Sequence, residues 1–146
     1  AIDMSVFILD NLGMDTTEVT LQMFAQADLL SFQNKYAEAI AKLDSIKILF
    51  PEHSLDDDVL YTKAQIYRKL RKTHEMISMY NTIIEKFPTE IKADNAIYEL
   101  AELYETKLNE PEKAKVLYEK IFTDYSASTF AFEARQRYRK LRGDEL

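Results

Sequence analysis

The chain has 146 residues, of which 47% are apolar and 30% are charged, and its formal net charge is −6. This acidic balance disfavours nucleic-acid binding, which needs clustered Lys and Arg to neutralise phosphates. The absence of cysteine excludes disulfides and thiolate metal sites, and the sequence has no run of roughly 18 apolar residues that could span a membrane.

Apolar residues recur along the whole chain with the spacing of a helical face, n, n+4 and n+7. We therefore predict eight helices, at 2–12, 17–33, 36–50, 55–71, 74–87, 91–107, 111–124 and 129–142. Ser54 with Asp57, and Asn109 with Glu112, have the spacing of N-caps supported by an acidic residue. Gly143 is a typical C-terminal stop for the last helix.

These helices repeat with a period of 37 residues. In the first helix of each unit the apolar columns are Met23, Leu60, Ile97 and Ala134; Ala27, Ala64, Ala101 and Tyr138; and Leu30, Tyr67, Tyr104 and Leu141. In the second helix the columns recur at steps of 37 and then 38 residues, because the third unit has one extra residue in its internal turn. They are Ala39, Met76 and Ala114; Leu43, Tyr80 and Tyr118; Ile46, Ile83 and Ile121; and Phe50, Phe87 and Tyr125. A period of this size predicts stacked helix pairs, each of which needs its neighbours to bury its apolar face.

The repeat predicts one domain over residues 1–146, with repeats at 17–51, 54–88 and 90–126 and a C-terminal capping helix at 129–142. Segment 2–12 is either a half repeat or an N-terminal capping helix. Its apolar residues Ile2, Val6 and Leu9 stand one period before Ala39, Leu43 and Ile46. We therefore expect a fragment of a longer protein, with possible self-association through this N-terminal apolar face.

The second helices carry a recognisable motif. In NKYAEAIAKLDSIKILFP, the residues Tyr36, Ala39, Leu43, Ile46 and Pro51 resemble the tetratricopeptide repeat, and THEMISMYNTIIEKFP and NEPEKAKVLYEKIFTDY repeat the pattern. The usual period of that family is about 34 residues. The resemblance implies an all-α fold, a right-handed α–α superhelix of antiparallel helix pairs. It also implies that the first helices line a concave groove that binds a peptide or partner protein.

Two further resemblances concern the linkers and the tail. The linkers FPEHSLDDDVLY and FPTEIKADNAIY are similar to those of periplasmic outer-membrane-assembly proteins. The tail STFAFEARQRYRKLRGD is similar to the end of large multi-repeat proteins of Bacteroidetes-type bacteria. These resemblances imply a periplasmic or cell-envelope location, although this chain contains no signal peptide and its compartment stays open.

The groove-facing positions of that family map onto a further set of columns with the same period. The candidate partner-binding residues are Phe24, Tyr61, Gln65, Arg68, Tyr98, Arg135, Arg139 and Arg142. Aromatic residues and arginine commonly anchor interfaces. The alternative is that the aromatic residues pack against neighbouring first helices. The arginines of the last helix either dock an acidic peptide, a C-terminal carboxylate or an anionic surface, or form a solvated cap favoured by the helix dipole.

No catalytic, cofactor-binding or metal-binding residues are predicted. His53 and His74 lie in different repeats without a nearby nucleophile, and Asp56, Asp57 and Asp58 suit the first turn of a helix. With glycine only at positions 13 and 143, the chain has no glycine-rich phosphate loop. We predict a non-catalytic protein-binding scaffold; the alternatives are a structural spacer in a longer solenoid and a periplasmic envelope-assembly component.

Overall fold

The computed structural model describes residues 16–51 and 54–144, which form seven α-helices and no strand. The helices are α1 Thr16–Phe32, α2 Tyr36–Leu49, α3 Asp56–Lys69, α4 Thr73–Lys86, α5 Ala93–Thr106, α6 Pro111–Asp124 and α7 Ala131–Arg142. Each lies within two residues of its predicted bounds, which confirms the all-α prediction. No helix in these ranges combines the length and the apolar character needed to cross a membrane.

The predicted segment 2–12 lies outside the described residues. The self-association that was predicted for its apolar face, Ile2, Val6 and Leu9, therefore remains a prediction.

The chain divides into two compact units, Ala1–Met76 and Ile77–Leu146, with the boundary inside α4. In the first unit, α1 packs on α2 and α2 on α3. The buried residues of its core are Val19, Met23, Ala27, Ala39, Leu43, Ile46, Val59 and Ile66. The predicted small residues Ala27 and Ala39 are fully buried where the two helices approach each other.

In the second unit, α5 packs on α6 and α6 on α7. The buried core residues are Ile97, Ala101, Ala114, Tyr118, Ile121 and Ala134, which come from all three helices. The α5–α6 pair therefore has the same construction as the α1–α2 pair, and α7 covers its far side.

Burial confirms most of the predicted columns. All nine residues of the first three second-helix columns are buried, and so are Met23, Ile97 and Ala134. Leu60 departs from this pattern because it is only half-buried. In α3 the residues that enter the first core are Val59 and Ile66, which lie seven positions apart on one face of the helix.

Tyr67 and Tyr104, which we expected in the core, are also half-buried. They lie in the last turn of α3 and of α5. Tyr80 and Tyr118 are fully buried as expected. Their hydroxyl groups donate hydrogen bonds to Glu99 and Glu105, as a buried phenol requires.

A residue in left-handed conformation ends the first helix of each pair. These residues are Asn34 (φ 63°), Arg71 (φ 58°) and Asn109 (φ 51°). Lys35 N–H and Lys72 N–H donate to carbonyls five residues back, at 2.8 and 2.9 Å, which is the hydrogen bond of a Schellman turn. The third turn is longer by one residue, and there Glu110 N–H reaches the Tyr104 carbonyl at 2.8 Å.

The predicted N-caps are wrong. The cap positions of α3 and α6 are Leu55 and Glu110, and neither side chain makes a capping hydrogen bond. Asn109 instead takes the left-handed turn position, which asparagine tolerates as well as it tolerates a cap. Gly143 ends α7 with φ 97°, which confirms its predicted role.

Arg71 gives a test of the turn geometry. A left-handed conformation costs a residue with a Cβ about 1–2 kcal/mol, and glycine avoids this cost but loses more entropy on folding. We expect Arg71→Gly to raise the free energy of unfolding by about 0.5–1 kcal/mol in urea denaturation followed by circular dichroism. Asn34→Gly is the matched control and should have a smaller effect, since asparagine adopts this conformation more readily. An equal increase in the free energy of unfolding for both variants would contradict the explanation by left-handed strain.

Candidate functional site

Four of the eight predicted binding residues lie in the first unit. Phe24 of α1 is half-buried and packs against the core of that unit. Tyr61 and Gln65 of α3 are half-buried, and Arg68, one turn further along α3, is exposed. Phe24 thus contacts the core of its own unit, and Tyr61, Gln65 and Arg68 follow one another along α3.

Tyr98 of α5 is the best-connected predicted residue in the second unit. Its ring stacks on Phe130, with centroids 4.6 Å apart and planes 16° from parallel, and it meets Tyr118 edge-on at 5.9 Å. Burial raises the pKa of the Tyr98 hydroxyl. These are the contacts of a side chain that holds α5 to α6 and to the start of α7.

Arg137 of α7 was not among the predicted binding residues, yet it forms the densest polar contacts in the second unit. Its guanidinium lies 3.1 Å from Glu105 Oε1 and 3.5 Å from Glu102 Oε2 on α5, and Nε donates to Glu133 Oε1 at 3.1 Å. Its Cζ also lies 5.8 Å from the centroid of the Tyr98 ring. Arg137 therefore bridges α7 to α5.

The sequence contains a signal for this role. Ala134, Arg137 and Leu141 follow the n, n+3, n+7 spacing of one helical face. Ala134 is buried and Leu141 half-buried, so Arg137 lies on the packing side of α7.

Tyr118 completes this network from α6. Its hydroxyl donates to Glu105 Oε1 at 2.7 Å and lies 3.4 Å from Arg137 Nη1. Burial, followed by the hydrogen bond to the Glu105 carboxylate, raises the pKa of Tyr118 well above its ordinary value. The phenol therefore stays protonated and neutral, and it acts as a structural donor.

The three predicted arginines of α7 lie on a different side of the helix. Arg135 is exposed, with its Cζ 5.1 Å from the centroid of the Phe122 ring. Arg142 lies over the Tyr138 ring at 5.3 Å and pairs with Asp144. The Arg139 Nε lies 3.7 Å from the same Asp144 carboxylate.

The structure therefore brings Arg139 and Arg142 together around one carboxylate. The hydrogen bond from Arg142 lowers the pKa of Asp144.

Two surface depressions lie within the second unit. One, of about 420 Å³, separates α5 from α7 and is lined by Glu105, Glu133, Gln136, Arg137 and Lys140. The other, of about 390 Å³, is mostly apolar and is bordered by α4, α5 and α6, with Tyr104 and Val116 among its lining residues. Neither contains any of the eight predicted binding residues.

The acidic run at the start of α3 has a structural role. All three residues lie in the first turn, where the helix dipole favours carboxylates. Asp56 also pairs with Lys47 at 3.4 Å. Within residues 16–51 and 54–144, no group of His, Asp and Glu side chains is arranged to hold a metal ion. His74 is exposed near the start of α4, as expected, and His53 lies outside these ranges.

Comparison with known proteins gives two matches to one family. Residues 58–89 and 95–128 match the family model described as tetratricopeptide repeat, and each match spans most of two consecutive helices, α3 and α4 or α5 and α6. A comparison with curated proteins gave no match. Repeats of this family generally serve as non-enzymatic scaffolds that mediate protein–protein interaction. Over these two segments the chain is therefore similar to tetratricopeptide repeats, and the described residues form an all-α repeat arrangement.

Proposed function

We propose that the chain is a non-catalytic scaffold that binds a peptide or partner protein through the first helices of its repeats. The observation that carries this proposal is the pair of tetratricopeptide-repeat matches. The exposure of Arg68, Arg135 and Arg142 supports it, since these side chains lie on first helices and are accessible to a partner.

In this proposal the eight candidate residues have two different roles. Phe24 and Tyr98 pack within their own units, so we assign them to supporting the surface. We assign direct contact with the partner to the other residues: Tyr61, Gln65, Arg68, Arg135, Arg139 and Arg142. Arginine and tyrosine suit this role because they combine a large contact area with a polar group.

Charge reversal on α3 tests this assignment. The full chain serves as bait for extracts of its source cells, and the affinity of the captured partner is then measured for wild type and variants. We expect Arg68→Glu to weaken binding about tenfold, since reversing a charge at an interface opposes the complementary group on the partner. Lys69→Glu is the matched control because it places the same change on the adjacent exposed residue, outside the predicted columns.

Two results would contradict the assignment. Equal losses for the two variants would point to a general charge effect, and unchanged binding for Arg68→Glu would remove α3 from the binding surface. If the chain captures no partner at all, the alternative of a structural spacer in a longer solenoid is favoured.

The linker and tail resemblances support a narrower proposal, a role in the periplasm or cell envelope of a Bacteroidetes-type bacterium. The supporting segments are FPEHSLDDDVLY, FPTEIKADNAIY and STFAFEARQRYRKLRGD. Fractionation of the source cells followed by immunodetection tests the location. Recovery of the protein in the cytoplasmic fraction alone would rule this narrower role out.

A further inference from the structure

The contact between α5 and α7 has a simple charge pattern. Three residues of α5 meet Arg137 of α7: Tyr98 through its ring face, and Glu102 and Glu105 through their carboxylates, at 3.5 and 3.1 Å. The earlier helix thus supplies an aromatic ring and two acids, and the later helix supplies one cation.

In the first unit, too, the later helix supplies the cation and an earlier helix supplies the carboxylate. Lys63 of α3 occupies the repeat position of Arg137, two periods of 37 residues earlier. Its Nζ lies 2.5 Å from Asp44 Oδ1 on α2, in the preceding repeat. In both units, therefore, the cation of the later helix pairs with a carboxylate of the helix pair before it.

On α7 the charges at the corresponding positions are inverted. One period after Tyr98, Glu102 and Glu105 stand Arg135, Arg139 and Arg142. We call these three residues the α7 arginine face. A following helix that packed in the same way would meet three cations in place of one ring and two acids, so it would need an acidic residue where α7 has Arg137.

The α7 arginine face already attracts a carboxylate. Asp144 pairs with Arg142, and its Oδ2 lies 3.7 Å from Arg139 Nε. The side chains of Arg139 and Arg142 nevertheless keep 43% and 52% of their accessible surface, so further acidic groups can reach them. The rings of Phe122 and Tyr138, edge-to-face at 5.4 Å, lie beneath Arg135 and Arg142 and offer an apolar surface beside the cations.

We propose that the α7 arginine face docks an acidic helix of a partner protein, which repeats the packing of α7 on α5 with the charges exchanged. The docked helix places a Glu or Asp at the position of Arg137 and its apolar stripe against Phe122 and Tyr138. This proposal rests on the proposed function, because it requires the partner to be a protein. It adds that the ligand is a helix with a defined acidic position.

Two peptides that differ at one residue serve as probes. Both contain residues 91–108, the acidic α5 sequence, stapled as a helix on the exposed face because an isolated helix of this length is only marginally stable. In α5 the position of Arg137 is taken by Leu100. One probe carries Leu100→Glu and the other carries Leu100→Lys, and their affinities for the full chain are measured by fluorescence anisotropy.

We expect wild type to bind the Leu100→Glu peptide about tenfold more tightly than the Leu100→Lys peptide, with a preference that weakens as salt screens the charges. Arg142→Glu should reverse this preference. Lys140→Glu is the matched control, because Lys140 is an equally charged residue of α7 that lines the depression on the α5 side. It should leave the preference unchanged. Circular dichroism establishes that each variant is folded, and Arg135→Glu replaces Arg142→Glu if the latter does not fold.

Equal binding of the two peptides to wild type, or no binding of either, would overturn the proposal. So would a shift in preference with Lys140→Glu as large as that with Arg142→Glu. Failure here is distinguishable from failure of the scaffold function. If Arg68→Glu weakens the captured partner while neither peptide binds, the scaffold stands and helix docking is wrong. Peptide discrimination without any captured partner would leave the docking site standing and the scaffold role unsupported.

Discussion

Replacement of Tyr98 by alanine is expected to lower the free energy of unfolding of the second unit by about 2–3 kcal/mol. The ring is half-buried and stacks on Phe130, and it also meets Tyr118 and lies under the Arg137 guanidinium. Truncation would remove all three contacts and leave a void beside the fully buried Tyr118. The measurement is urea unfolding followed by circular dichroism, with amide hydrogen exchange in α5, α6 and α7 to localise the loss.

The control is Tyr98→Phe, which keeps the ring and removes only the hydroxyl. It should change the free energy of unfolding by less than about 1 kcal/mol, since the contacts described here are made by the ring. If Tyr98→Ala proved as stable as wild type while a captured partner bound more weakly, Tyr98 would return to the set of direct contacts. A loss of stability with unchanged affinity would instead establish the packing role.

The sequence predicted the helices and the core well because both are periodic. A helix buries one face in every repeat, so Ala27, Ala64 and Ala101 return at the same step and are all fully buried. The half-buried Leu60 shows the limit of this reasoning. A repeated column shows which positions are apolar. Whether Val59 or Leu60 of α3 faces the core depends on how the helix packs against its neighbour.

The candidate site was harder to predict because its decisive residues do not repeat. The residue that stacks on Tyr98 is Phe130, and the positions one and two periods earlier are Ala93 and Asp56. Arg137 corresponds to Leu100 in the preceding repeat and to the cation Lys63 two periods earlier, so the cation does not form a continuous column.

The contacts of the second unit thus combine repeated tyrosines, such as Tyr118, with side chains that do not recur in the preceding repeat, such as Phe130 and Arg137. Such contacts become visible only when the helices are placed next to each other.

Reversal of the charge at position 137 should have an effect of similar size to the loss of the Tyr98 ring. Arg137→Glu would place a fourth carboxylate beside Glu102, Glu105 and Glu133, and it would remove the cation that now balances them. The arginine side chain is 28% exposed, so solvent moderates the penalty relative to a fully buried pair. We expect a loss of about 2–3 kcal/mol in the free energy of unfolding, measured by urea denaturation and reduced at high salt.

Two variants separate the charge from the packing. Arg137→Met keeps most of the aliphatic stem and should lower the free energy of unfolding by less than Arg137→Glu does. It leaves the three glutamates without their cation but does not add a fourth carboxylate. Arg135→Glu makes the same charge change two residues away, where the wild-type guanidinium contacts only the Phe122 ring among the described residues. It should cost less than about 1 kcal/mol. If Arg135→Glu destabilised the protein as much as Arg137→Glu, the bridge from α7 to α5 would not explain the loss of stability. The docking model for the α7 arginine face would then be unsupported, because it is based on that bridge.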